Sequence, residues 1–369
     1  MWNGACKRHS KSNRRSHFAN VGVHCMKRLN PIPDEVLEKH HAFYSGGIQH
    51  ALARLAAGQR VEFAESEEDE KNALKEQEVL GDPGVRQYFQ SIRDLFVKNS
   101  LLKATAIQLR RIVSTQIPSF SSTKPKKSVN DILSKVFDYS EFEAGRALDY
   151  RNGKFVWRKN TPAWGAYEYV QYHIESVRFC PYCNADALYA FNKQEKSNSV
   201  KSALDHFFPK GKYPFLALSL YNLIPACFRC NSQMKGSNDA IGLANPYIED
   251  IHRNVVFFPL FDKPSPSLAG PCRMKVLPRK QWNSRAKKYV RLFELESLYS
   301  SSFAKEAWKC IEKARQYTPE FRRHMASVIG HKDPRLVETL LFGMQLDESE
   351  INKTRLGKMT LDIVERFHV

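Results

Sequence analysis

The chain has 369 residues, with 57 Lys and Arg against 39 Asp and Glu, a formal net charge of +18 and a pI near 9.5. A hydrophobic fraction of 42% excludes wholesale disorder, and no apolar run is long enough to span a bilayer. The excess of cations suits a polyanionic partner, since each neutralised phosphate releases condensed counterions, although many soluble proteins are moderately basic without one.

Residues 1–25 carry Lys7, Arg8, Lys11, Arg14 and Arg15 and no acidic residue, which reads as a basic flexible tail. Cys6-x-x-His9 and His24-Cys25 fit no standard zinc spacing, and Met26 looks like a natural start. The tail has no apolar segment behind it, so it is not a secretory signal, and a cytoplasmic location is expected. From Pro33 to about Ser114 apolar residues recur at helical spacing, with Gly46-Gly47 expected to separate a first helix from a second. The acidic run Glu65 to Glu70 reads as a solvated helix start or loop. Thr115 to Ser128, rich in Ser, Pro and Lys, reads as a linker, followed by a short helix around Asn130 to Phe137.

A helix from Trp164 to Val177 then delivers the chain to Cys180. Val200 to Phe208 reads as a strand, Leu220 to Ile224 as a second strand-like stretch, and a helix is expected from Asn231 to about Lys235. After Asn245-Pro246, β-type runs are expected at Asn254 to Leu260 and Met274 to Leu277, separated by a turn region rich in Pro, Ser and Gly. The rest reads as helices: Ser284 to Ala314, Pro319 to Ile329, Pro334 to Met344 and Ser349 to Phe367. There is no internal repeat, coiled-coil heptad run or Walker-type phosphate loop.

Chemistry concentrates between Cys180 and Lys235. Cys180-Pro-Tyr-Cys183 and Cys227-Phe-Arg-Cys230 each present two sulfurs toward one point, and together they complete a tetrahedron around zinc. Four protein ligands leave no open position, so such a zinc is structural. A redox dithiol and a chance pairing of buried cysteines are the rival readings. The four remaining cysteines, Cys6, Cys25, Cys272 and Cys310, read as inert thiols. Between the pairs lie Asp205-His206 and Asn222, and Asn231 follows the last cysteine. An isolated Asp-His is usually structural and an isolated Asn usually a turn residue; their order inside a double Cys-x-x-Cys frame is what makes them candidates.

That order resembles the HNH, or ββα-metal, endonuclease family over roughly residues 175 to 250. The wording Asp205-His206-Phe207-Phe208-Pro209-Lys210, Tyr221-Asn222-Leu223 and Cys227-x-x-Cys230-Asn231-x-x-x-Lys235 also resembles the nuclease subunit of Septu-type antiphage systems. The resemblance implies His206 as general base, Asp205 and Asn231 as ligands of a catalytic magnesium or manganese ion, and Asn222 pinning the loop that orients His206. Many relatives have His at the position of Asn231; a neutral carbonyl oxygen favours hard magnesium.

Lys201, Lys210, Lys212, Arg229 and Lys235 add positive charge, and Lys210 and Lys235 are expected at substrate phosphates; His252 reads as a surface histidine. The implied partners are nucleic acid, DNA before RNA, and an SMC-like ATPase, with no membrane. One hydrolytic centre per chain means that double-strand breaks need a dimer or two nicks. The expected architecture is α+β: tail 1–25, helical region 26–160, zinc-stapled HNH module 161–250, and a short β segment leading into a helical region over 251–369.

Overall fold

The computed structural model describes residues 29–64, 70–192, 199–250, 254–261, 272–278, 283–330 and 335–367. The basic tail with Cys6, His9 and Cys25, Met26, acidic residues 65–69, His252 and the turn region 262–271 lie outside them. The architecture is mixed α and β: helices predominate, and the described strands form four separate two-stranded antiparallel sheets.

The helical region follows its apolar periodicity, with one correction. Helix α1 (Asp34–Ala56) runs unbroken through Gly46-Gly47. A Cβ on Gly47 would stand 1.9 Å from the carbonyl oxygen of Leu148, so this glycine admits a strand against the helix and does not end it. Helix α2 (Glu70–Leu80) leads to α3 (Pro83–Asn99), which packs along α1. Asp82 caps α3, accepting from the Val85 amide at 3.1 Å, and Thr105 and Gln108 form a capping box on α4 (Ala106–Thr115). Residues 116–125 carry no helix or strand, and α5 (Lys126–Val136) and α6 (Tyr139–Glu143) follow.

The hairpin β1 (Arg146–Arg151) and β2 (Lys154–Lys159) was not foreseen. Its two-residue turn, Asn152-Gly153, holds both residues at positive φ, 49° and 80°, as a type I′ turn requires. Helix α7 (Ala166–Ile174) leads into the first cysteine pair, and β3 (Ala190–Asn192) pairs with β4 (Ser199–Lys201). The run expected as one strand to Phe208 breaks at Ser202, because β5 (Ala203–His206) takes a different partner, β6 (Leu223–Ala226). Leu220–Asn222 is a 3-10 turn immediately before β6 and not part of the strand. The helix expected from Asn231 begins earlier, at Arg229, and is a π-helix to Lys235; its bonding step shows in the Gly236 amide donating to the Asn231 carbonyl at 2.8 Å.

Strands β7 (Val255–Leu260) and β8 (Arg273–Pro278) pair as their alternation suggests. The expected single helix over 284–314 is three: α8 (Asn283–Leu292), α9 (Leu295–Ser302) and α10 (Ala304–Gln316). The first break falls at Glu294, whose φ of 46° cannot continue a helix. Helices α11 (Pro319–Val328), α12 (Arg335–Phe342) and α13 (Gly357–Phe367) close the chain. The last is shorter than expected, since residues 348–350 form only a 3-10 turn and Leu356 has a φ of 57°. Buried apolar residues form one continuous cluster from Leu29 to Val364. No described helix is long and apolar enough to cross a membrane.

Candidate active site and metal centre

The two Cys-x-x-Cys turns meet. Cys180, Cys183, Cys227 and Cys230 are all buried, and their sulfurs lie within 4.8 Å of one another. Cys183 Sγ and Cys227 Sγ stand 3.9 Å apart, against about 3.8 Å for sulfurs on a zinc tetrahedron with Zn–S bonds of about 2.3 Å. The donor set fits, and these four cysteines could hold a zinc ion. Burial pushes the Cys180 thiol up, so the crowded sulfurs need a cation before all can be thiolates.

A second layer of polar contacts fixes both turns. Arg229 donates to Cys183 Sγ at 3.3 Å and pairs with Asp186 at 2.9 Å, so it serves the cysteine cluster. Tyr289 donates to the carbonyls of Pro181 and Tyr182, at 3.1 and 2.7 Å, and Tyr299 to that of Cys183 at 2.8 Å. Asn184, left-handed at φ 53°, donates to the Ile351 and Thr354 carbonyls and accepts from the Lys358 amide at 3.0 Å, capping α13.

Beside this centre β5, the loop after it and the π-helix enclose a cleft of about 450 Å³, lined among others by Tyr139, Asp205, His206, Lys210, Asn231 and Ser232. His206 ends β5, and its Nε2 lies 3.1 Å from the carbonyl oxygen of Ala217. A carbonyl accepts only from N–H, so this bond places the proton on Nε2 and leaves Nδ1 with its lone pair. Burial and the nearby Lys210 charge hold the imidazole well below its usual pKa, so it is neutral near pH 7.

Asn222 is fully buried and clamps the loop that carries Ala217. Its Oδ1 accepts from the Phe208 amide at 2.7 Å, and its Nδ2 donates to the carbonyls of Phe208 and Leu216, at 3.1 and 3.0 Å. His40 on α1 holds the next residue, with Nε2 2.7 Å from the Leu218 carbonyl and Nδ1 accepting from Trp164.

Asp205 lies deeper, 1% exposed. Lys235 Nζ pairs with its Oδ1 at 2.9 Å, and the Tyr182 hydroxyl donates to its Oδ2 at 2.6 Å. Burial raises this carboxyl above its ordinary pKa, and the Lys235 charge pulls against that rise. Burial keeps the Tyr182 phenol protonated and therefore a donor. Lys235 also donates to the His206 carbonyl at 2.7 Å. Its side chain is wholly buried, which corrects the expectation that it meets substrate phosphate: it neutralises Asp205 instead.

Lys210 is exposed at the cleft, whereas Lys212 pairs with Asp239 and Lys201 with Glu143. Asn231 is half-buried in the cleft; of its side-chain atoms, only Nδ2 has a partner among the described residues, the Ser232 hydroxyl at 3.5 Å. Its side-chain Oδ1 has no partner among the described residues, whereas both oxygens of Asp205 are engaged, by Lys235 and Tyr182.

Sequence reasoning missed two residues here. Tyr182, inside the first cysteine turn, ties that turn to Asp205. Tyr139, from α6, packs its ring edge-to-face on His206 at 4.6 Å. Asp-His followed by Asn gives no hint of either, because neither is adjacent to the motif's polar positions.

No family model, no curated protein and no solved structure matches the chain.

Proposed function

We propose that the chain is an HNH endonuclease that hydrolyses nucleic-acid phosphodiesters with a divalent cation. The observation that carries this reading is the cleft itself, which gathers His206 with an unprotonated Nδ1, Asn231 and exposed Lys210 beside a four-cysteine centre. The hairpin β5–β6 followed by the helix at Arg229–Lys235 is the element order that the resemblance implies.

In this reading His206 Nδ1 accepts a proton from water, and the oxygen left behind attacks phosphorus. Ala217 holds the ring in the required tautomer, and Asn222 holds the loop that bears Ala217. Lys210 draws the phosphate into the cleft. Asn231 and Asp205 would hold a magnesium or manganese ion, which supplies positive charge to the phosphate and the leaving 3′ oxygen. Zinc at Cys180, Cys183, Cys227 and Cys230 is structural. By resemblance the substrate is DNA before RNA, and the setting is bacterial antiphage defence beside an SMC-like ATPase; this wider setting rests on analogy alone.

One observation favours a second reading, a zinc-dependent nucleic-acid-binding scaffold without catalysis: both oxygens of Asp205 are already engaged, by Lys235 and Tyr182. The two readings separate in one experiment. Wild type and His206→Ala are tested on plasmid, single-stranded DNA and total tRNA with magnesium or manganese, with and without an SMC-like ATPase. Cleavage lost in a folded, zinc-loaded His206→Ala chain supports the nuclease, whereas an inactive wild type that still binds nucleic acid supports the scaffold.

A further inference from the structure

We infer that Tyr139, which lies outside the nuclease-like stretch, is a positioning residue of the cleft, one ring fixing the places of both His206 and Lys210. This deepens the nuclease reading and rests on it. The ring is nearly buried; its edge-to-face contact with His206 has an interplanar angle of 77°, and Lys210 Nζ stands 4.8 Å from its centroid. A cation over an aromatic face is held by the ring's quadrupole. A free lysine side chain at an exposed site samples many rotamers, and Lys210 forms no ion pair among the described residues.

Helix α6, which carries Tyr139, and the preceding α5 are fixed by further contacts, one of them to the loop that bears Lys210. Asp138 caps α6, accepting from the Ser140 amide at 2.8 Å. Asn130 on α5 donates to the Gly211 carbonyl at 3.2 Å, one residue beyond Lys210. Glu143, at the end of α6, accepts from Lys201 on β4 at 2.7 Å. Lys210 and His206 are therefore both referenced to α5–α6, and the phosphate-attracting charge stands at a set distance from the proton acceptor.

The test is a double-mutant cycle on nucleic-acid binding, measured in the His206→Ala chain so that no cleavage intervenes. Tyr139→Leu is expected to weaken binding of a labelled oligonucleotide about two- to fivefold, a loss that vanishes when Lys210 is already Met. Tyr139→Phe, which keeps the ring, rescues the affinity. In the catalytic chain Tyr139→Leu lowers kcat beyond its effect on KM, since His206 loses its wall. Additive losses for Tyr139→Leu and Lys210→Met, or a Tyr139→Phe chain as weak as Tyr139→Leu, overturn the inference.

A chain that binds no nucleic acid fails the functional reading instead, and Tyr139 is then judged by NMR. The Lys210 ε-methylene resonance should lie upfield of free lysine in wild type and Tyr139→Phe, and at the free position in Tyr139→Leu. An unshifted Lys210 in wild type overturns the inference.

Discussion

The hydroxyl of Tyr182 donates to Oδ2 of Asp205 across 2.6 Å, joining the first cysteine turn directly to the floor of the cleft. Tyr182, one of the two residues between Cys180 and Cys183, thus also orients the buried carboxylate, with its ring stacked on Phe293 at 4.4 Å. Tyr182→Phe keeps that stacking and removes one hydrogen bond to a charged group, at a cost of about 1.5–3 kcal/mol. Zinc content should be unchanged, and cleavage should fall because Asp205 is no longer held. Urea melts with metal analysis check the first expectation, and single-turnover cleavage the second.

Lys235 and Asp205 form a buried ion pair, so removing one partner leaves an uncompensated charge. Lys235→Met should destabilise the chain by about 3–5 kcal/mol, more than an exposed lysine would. Adding Asp205→Asn should recover part of that loss, because the stranded charge is gone. Chemical denaturation of both single variants and the double variant measures the coupling; a Lys235→Met chain as stable as wild type would contradict the pair's burial.

Cysteine-bound zinc couples metal to folding, with apparent binding free energies on the order of 10 kcal/mol in small zinc modules. Cys230→Ser should lose the metal and, with it, the cooperative melting of the central region. Cleavage should then be absent even in excess magnesium, since Tyr182 no longer has a fixed base. Elemental analysis and circular dichroism on one preparation give both readouts.

Asn184 combines a left-handed backbone with side-chain bonds to three residues near the start of α13. Asn184→Gly keeps the backbone and loses the bonds, whereas Asn184→Ala loses both. The alanine variant should be the less stable by about 1–2 kcal/mol, and both should fall below wild type. Thermal melts of the two variants separate conformation from bonding.

Besides His206 in the cleft, burial holds two further histidines neutral in the folded chain, His40 down to about 4 and His173 down to about 3. Unfolded, each takes up a proton near its ordinary value of about 6.5, so below that pH the unfolded state binds more protons. Their contribution is fully present above about pH 6.5 and is lost as pH falls toward the folded values. Together they should cost about 4 kcal/mol between about pH 7.5 and about pH 5. A melting temperature flat across that range would show that burial holds neither ring neutral, and a loss of about half that size that one of them is solvated.

The cysteine cluster and the cleft were legible because their chemistry is local: sulfur spacing within each turn, and polar residues at strand and helix ends. What escaped depends on distant neighbours. Gly46-Gly47 reads as a break by composition, yet Leu148, far along the chain, explains why the helix continues with Gly47 inside it. Lys235 looks like a surface cation until β5 brings Asp205 beneath it. Asn152-Gly153 is the opposite case, a local hairpin-turn signal fully present in the sequence between two helices.

Glu249 has consequences for trimming the protein. Its carboxylate, 1% exposed, receives both terminal nitrogens of Arg110 from α4, at 2.6 and 2.7 Å, and Arg285 from α8 at 2.8 Å, and it also accepts from the Asn245 amide. A fragment cut to the nuclease-like stretch would keep the acid and discard both guanidinium groups. The helical flanks are thus not detachable arms, and a minimal version of this protein has to retain α4 and α8.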